Sequence, residues 1–289
     1  MSTVAADPRQ QIASAINTIT SIAALPEVTA RILTTVEDPK SNAQQLHKIV
    51  SHDPALVTRI LKVVNSAFYG LPGQVASIER AIVMLGLNAV KNIAVAASLG
   101  QMFRGTRLCE GYSAKDLWTH CVAVACIARD LAKQAKLPIA DEAFLAGMIH
   151  DIGLLVSLQV YPEKLQIVCA EAQMSSRRFC EIEREVIGVD HEQLGMALCE
   201  KWSFPKSCQL VAGFHHEPEL PATSARAIVT LIAVADGMAA ATGQGFTLTR
   251  LHDAPTAETA QSIGITAAHL EATRARVPEL MQSASSLCG

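Results

Sequence analysis

His150 and Asp151 stand side by side at the end of an apolar stretch, with Gly153 two residues on. Sequence neighbours do not share a helix face, but at a frayed helix end an imidazole and a carboxylate can converge on one ion. That pairing suits manganese, iron or zinc better than calcium. His120 and Asp236 fall in the middle of otherwise apolar stretches, where an unpaired polar group costs roughly 2–7 kcal/mol. Each therefore needs a partner. Taken singly, such a histidine is ordinarily a hydrogen-bonded core residue and such an aspartate a cap or an ion-pair member. Yet most of the nine histidines lie in one part of the chain, several beside carboxylates. No glycine-rich phosphate loop and no nucleophile elbow accompanies them.

The elements that must position these groups read as helices throughout. Ile12, Ile16 and Ile19 mark a first amphipathic segment, and Pro26 opens a second with Val28, Ile32 and Val36, closed by Asp38-Pro39. Asp53-Pro54 supplies an N-cap and a first-turn proline for a helix carrying Leu56, Ile60 and Val64. After the break at Tyr69-Gly70-Leu71-Pro72-Gly73, two helices spanning 78–85 and 87–103 are split by Gly86. A lapse between Arg104 and Gly111 marks a boundary. Beyond it, Ser113-x-x-Asp116 and Asp190-x-x-Gln193 are capping-box starts. Asp141 is expected to cap the helix ending at His150, Pro205 to open one toward His215, and Ser224 to precede the apolar helix 227–241. After Gly243-Gln244-Gly245 the chain turns polar and threonine-rich, which predicts a peripheral tail with one helix over 267–276. No strand-like alternation of useful length is present.

Composition agrees. The 289 residues are 50% hydrophobic, 18% charged and 4% aromatic, and 45 are alanine, a balance that favours helix over strand and excludes extensive disorder. With a net charge of −3 and few aromatic rings, neither bulk electrostatics nor base stacking supports nucleic-acid binding. The eight cysteines are dispersed without a Cys-x-x-Cys pair, as expected of buried thiols in a reducing compartment. The apolar stretches 143–160 and 227–241 carry His150-Asp151 and Asp236 in their interiors, so core helices are expected rather than membrane spans. Without a basic region followed by an apolar one at the N-terminus, a cytoplasmic address is expected.

The order Trp118-Thr119-His120, His150-Asp151-Ile152-Gly153, His215-His216-Glu217-Pro218 and Ala235-Asp236 resembles the HD superfamily of metal-dependent phosphohydrolases. The first block sharpens this. Leu25-Pro26, the run from Ile49 to Leu56, the run from Leu61 to Gly70, Ile78-Glu79-Arg80-Ala81-Ile82 and Leu85-Gly86 closely resemble the HDOD family, the HD-related output domain of bacterial signalling proteins. The run from Glu183 to His191 belongs to the same pattern.

The resemblance implies an all-α fold, an N-terminal helical bundle packed against an HD-like helical bundle. The division expected is an extension over 1–18, an N-terminal subdomain over 19–104, an HD-like subdomain over 111–243 and a tail over 244–289. It also implies that His120, His150, Asp151 and Asp236 hold a first divalent metal, iron, manganese, zinc or magnesium, and that His191 and His215 hold a second, with Asp151 bridging. The site is thus expected to carry one or two ions, or none if the same residues form a hydrogen-bonded network. Two ions would clamp a phosphoester and lower the pKa of a bridging water, with His150 and Asp151 as the catalytic pair. Two departures argue against a cyclic di-GMP phosphodiesterase: Leu154 stands where HD-GYP enzymes carry a lysine, and Pro218-Glu219-Leu220-Pro221 lacks their Gly-Tyr-Pro signature. The favoured expectation is a signal-transduction module contacting proteins of two-component or cyclic-dinucleotide pathways, without catalysis; the alternative is a metal-dependent phosphohydrolase acting on a nucleotide-type phosphoester. Asn65, Phe68 and Tyr69 are a further candidate ligand or partner surface, and Ser175-Ser176-Arg177-Arg178 a candidate anion site against a plain solvated surface.

Overall fold

Local cap chemistry starts the helices where the sequence places them. In the computed structural model, which describes residues 7–22, 25–36, 40–66, 69–103, 105, 107–253 and 255–288, Asp53 accepts from Leu56 N at 2.9 Å and Pro54 opens the helix. Ser113 and Asp190 form reciprocal capping boxes with Asp116 and Gln193; such caps are worth roughly 1 kcal/mol each. The Asp190 box matters most, because the residue it starts on is His191.

The first block comprises α1 (Pro8–Ile22), α2 (Glu27–Val36), α3 (Ala43–Val50), α4 (Pro54–Val64), α5 (Ile78–Leu85) and α6 (Leu87–Leu99). Gly86 separates the last two with a φ of 89°, a left-handed conformation that favours glycine. A short antiparallel hairpin, β1 (Arg107–Cys109) and β2 (Tyr112–Ser113), occupies the lapse that reads as a bare boundary in the sequence. Its strands are too short to show alternation. The second block contains α7 (Ala114–Gln134), α8 (Ala140–Ile149), α9 (Ile152–Val160), α10 (Pro162–Met174), α11 (Phe179–Val186), α12 (His191–Lys201), α13 (Lys206–Phe214) and α14 (Thr223–Ala241), followed by α15 (Ala257–Gln261), α16 (Ala267–Ser283) and α17 (Ser285–Cys288).

Helix α7 is the axis. It packs on α8, α14 and α16, and Leu117, Val122, Val124, Ile127 and Leu131 are all at 0% exposure, each contributing roughly 1.5–3 kcal/mol by burial. The blocks meet where α6 packs on α8, while α1 lies against α9 and α12. The stretches 140–160 and 223–241 are long and apolar enough to cross a membrane, but 89% and 61% of their apolar windows are buried inside the fold, as core helices require. The seven described cysteines are free and buried.

Three expectations are corrected. Asp141 does not cap α8: Ile139 is the N-cap and makes no side-chain cap bond, while Asp141 accepts from Arg129 Nε at 3.2 Å. Ser224 lies inside the first turn of α14 rather than before it. The chain after Gly243 is not a peripheral tail with one helix: among the described residues it carries α15, α16 and α17, and α16 packs on α7. Residues 246–250 are largely buried against the second block before the chain returns to the surface at Leu251 and His252, and Phe246 is fully buried and contacts Tyr112 and Phe179 edge-on. Gly245 makes that packing possible, since at its φ of 67° an added Cβ would lie 2.3 Å from Asp116 O.

Candidate metal centre

Six elements deliver the polar residues to one place. His120 comes from the first half of α7, His150 and Asp151 from the junction of α8 and α9, His191 from the first position of α12, His215 from the end of α13 and Asp236 from α14. All six are at 0% exposure. Gly153 sets the approach of α9 to α12: an added Cβ there would lie 1.9 Å from His191 O and 2.7 Å from Gly195 N. Its role is this contact between backbones.

The hydrogen bonds orient every imidazole the same way. Nδ1 of His120 donates to Gln244 O at 3.0 Å, that of His150 to Gly147 O at 2.8 Å, and that of His215 to Val211 O at 3.0 Å. Nδ1 of His191 donates to Glu183 Oε2 at 2.5 Å, and that of His216 to Asp253 Oδ2 at 2.7 Å. A carbonyl or carboxylate oxygen only accepts, so each Nδ1 carries a proton, and at His150, His191, His215 and His216 Nε2 is left facing the cluster, as a lone pair whenever the ring is neutral. His120 is the exception, since Asp236 Oδ1 faces its Nε2, which must carry a proton as well to bond there. The Nε2 atoms of His150, His191, His215 and His216 and both oxygens of Asp151 are buried without a protein hydrogen-bond partner.

Those unpartnered atoms surround Asp151. Its Oδ1 lies 3.4 Å from His191 Nε2 and 3.3 Å from His215 Nε2, and its Oδ2 lies 3.3 Å from His150 Nε2. Ligands held at roughly 2.0–2.2 Å by one tetrahedral ion sit about 3.3–3.6 Å apart. The ligand atoms of Asp151, His191, His215 and His216 fall within 4.8 Å of one another, as do those of His120, His150 and Asp236. Nδ1 bonded to an oxygen with Nε2 turned inward is the orientation that ligating histidines adopt. The donor set therefore fits a divalent ion of the manganese, iron and zinc group.

Electrostatics follow from burial and from the carboxylates. Burial holds the His215 imidazole down to about 4. At His150 burial is outweighed by the Asp151 carboxylate, which holds the imidazole well above its ordinary value. Burial also opposes the Asp151 charge, but His150 keeps that carboxyl well below the usual range. An ion held here would compete with the proton on this pair. Glu192, which accepts from His216 N at 2.9 Å, is pushed up to about 7 by burial.

Several contributors are not among the expected ligands. His216 joins the Asp151 group, although adjacency to His215 is a visible signal. Glu183 accepts from His191 N at 3.0 Å as well as from its ring, and the spacing to His191 is legible only within the family pattern. Arg250 carries no signal at all: it comes from the polar segment, is 4% exposed and donates through Nε to Asp236 Oδ2 at 2.5 Å. Arg178 joins the rim, donating to Asp253 Oδ2 at 3.0 Å and His216 O at 3.3 Å, whereas Arg177 pairs with Glu171 and Glu185 on the surface. Asn65 exchanges hydrogen bonds with Val75 N and O, and the buried Tyr69 ring lies 4.2 Å under the Arg129 guanidinium. Phe68 lies outside the described residues. Orienting partners typically govern metal affinity 10–100-fold. Glu183→Ala is accordingly expected to weaken zinc binding about 10–100-fold in competition with a chromophoric chelator, and an unchanged affinity would remove Glu183 from the centre.

A helical second block with an ordered His and Asp cluster at its heart defines an HD-type module. The chain belongs to the HDOD family: the HDOD domain model matches residues 22–218. The fold is similar to the crystal structure of a candidate phosphohydrolase from Shewanella amazonensis SB2B, with a TM-score of 0.73 and 24% identity, covering 95% of this chain and 98% of that one. It is equally similar to a candidate signal transduction protein from Marinobacter aquaeolei VT8, with a TM-score of 0.72 and 24% identity, covering 96% of this chain and 64% of that one. Likeness at that identity is one of fold. An uncharacterized protein of Treponema pallidum (strain Nichols) is 29% identical over 215 residues, 72% of this chain, and the chain spans 40% of that relative's length.

Proposed function

We propose that this HDOD chain is a regulatory, protein-contacting module of bacterial signalling, cytoplasmic, with a divalent ion held in its core and no catalytic turnover. The observation that carries the proposal is the contrast between a donor set arranged for metal and its closure: Asp151 and the four histidines around it present unpartnered atoms, yet all the candidate ligands save His216 are at 0% exposure, and His216 is at 5%. A bound ion of this kind supplies Lewis acidity toward a phosphoester oxygen. The residues of this chain do something else with the space. Arg250 fills the side facing Asp236, Phe179 packs edge-on against the His191 ring with Phe246 against Phe179 in turn, and Leu154 is a fully buried apolar side chain at the position after Gly153. Asp151, His191, His215 and His216, whose ligand atoms lie within 4.8 Å of one another, would hold the ion, with His150 beside the other oxygen of Asp151 and with Glu183, Asp253 and backbone carbonyls fixing the rings. Partners of such a module are signalling proteins of two-component or cyclic-dinucleotide pathways.

The alternative is a metal-dependent phosphohydrolase, and one experiment separates the two. Protein purified without added metal is analysed for first-row metals and assayed with a generic phosphodiester and a phosphomonoester. Bound metal with no turnover is the expected result. Turnover that His150→Ala and Asp151→Ala both abolish would establish the phosphohydrolase instead, and a metal-free protein that takes up none on titration would leave only a hydrogen-bonded core.

A further inference from the structure

The cluster is not uniformly ready for metal. Its two ends differ in whether their charges are already balanced by the protein. Around Asp151 no arginine and no protein hydrogen bond engages the inward-facing atoms: both carboxylate oxygens and the Nε2 atoms of His150, His191, His215 and His216 lack partners. At Asp236, by contrast, both carboxylate oxygens are engaged. Oδ1 lies 2.9 Å from His120 Nε2, and Oδ2 receives Arg250 Nε at 2.5 Å. Arg250 is locked in turn, donating to His215 O at 2.6 Å and to Asp253 O at 3.1 Å. A guanidinium keeps its charge at any physiological pH. It therefore stands as a permanent cation against the carboxylate that a first ion would need, and repels a divalent ion only a few ångströms away.

We infer that Arg250 acts as a built-in cation that closes the His120 and Asp236 corner, so that the chain binds a single ion, on Asp151, His191, His215 and His216. This rests on the metal-binding part of the function proposed above and restricts it. Arg250 lies outside the matched span 22–218, on the segment that packs against the cluster, so the restriction comes from this chain's own downstream residues. It also fits a closed centre: the side chain that excludes the second ion is the one that ties residues 248–253 across the site.

The test is zinc stoichiometry on the full chain, read by elemental analysis after equilibrium dialysis against zinc alone. The wild type is expected to hold one zinc, Arg250→Met two, and Asp236→Asn still one, because the Asp236 corner does not serve the single ion. His215→Ala is expected to lose it. In Arg250→Met, zinc should also raise the thermal midpoint further than in the wild type, since the unpaired Asp236 charge then depends on the ion. Two zincs in the wild type, loss of the ion in Asp236→Asn, or a folded Arg250→Met that stays at one would each overturn the inference. If Arg250→Met does not fold, the opposite outcomes for Asp236→Asn and His215→Ala decide it. Two zincs in the wild type refute only the role of Arg250, whereas none in any protein refutes the metal-binding proposal itself.

Discussion

Stripping the protein with a chelator is expected to lower its thermal midpoint by roughly 5–15 °C, and Asp151→Ala is expected to abolish that response. An ion that binds only the folded chain stabilises it by RT ln(1 + [L]/Kd), about 3–4 kcal/mol at a hundred to a thousand times Kd. The fold adds a reason for the effect to be large. Asp151, His150, His191 and His215 are fully buried with unpartnered atoms, and without an ion these groups face one another in a low dielectric, where unpaired polar atoms are costly. Asp151 is the decisive residue because its two oxygens face different histidines, His191 and His215 on one side and His150 on the other. A chelator-insensitive wild-type midpoint, with metal shown to be removed, would mean that the cluster is stable as a hydrogen-bonded network.

Gly153→Ala should be the most damaging single-methyl change in the second block, costing at least about 3 kcal/mol. The added Cβ would sit 1.9 Å from His191 O and 2.7 Å from Gly195 N. Both are backbone atoms, so no side chain can swing aside, and α9 must separate from α12. That separation carries His191 away from Asp151, so metal affinity and the denaturant midpoint should fall together. Gln166→Ala, on the exposed face of α10, is the control and should stay within about 0.5 kcal/mol of the wild type. A wild-type midpoint for Gly153→Ala in urea titration would contradict the packing of these two helices.

The helices were legible because their signals are local. The Asp53-Pro54 start, the capping boxes at Ser113 and Asp190 and the Gly86 break all act within four residues, and each appears in the structure as the side-chain chemistry requires. The failures are equally instructive. Asp141 has the composition of a cap, but Arg129, twelve residues earlier on a neighbouring helix, engages it instead. The hairpin at 107–113 escaped because strands of three and two residues leave no alternation to read.

For the candidate centre, residue types and their order along the chain already marked His120, His150, Asp151, His191, His215 and Asp236 as polar groups in apolar surroundings that had to be partnered. Which atoms meet was decided by tertiary structure. His120 and Asp236 are 116 positions apart and approach to 2.9 Å only because α7 and α14 pack together. The common orientation of the rings depends on carbonyls and carboxylates drawn from other turns and other elements, and so does the divide between an unpartnered Asp151 and a compensated Asp236. Arg250 shows the limit most clearly. In sequence it is one cation in a polar segment; once Phe246 is buried and Gly245 lets the backbone cross beside His120, its guanidinium has no solvent to enter and must pair with the nearest buried carboxylate, that of Asp236.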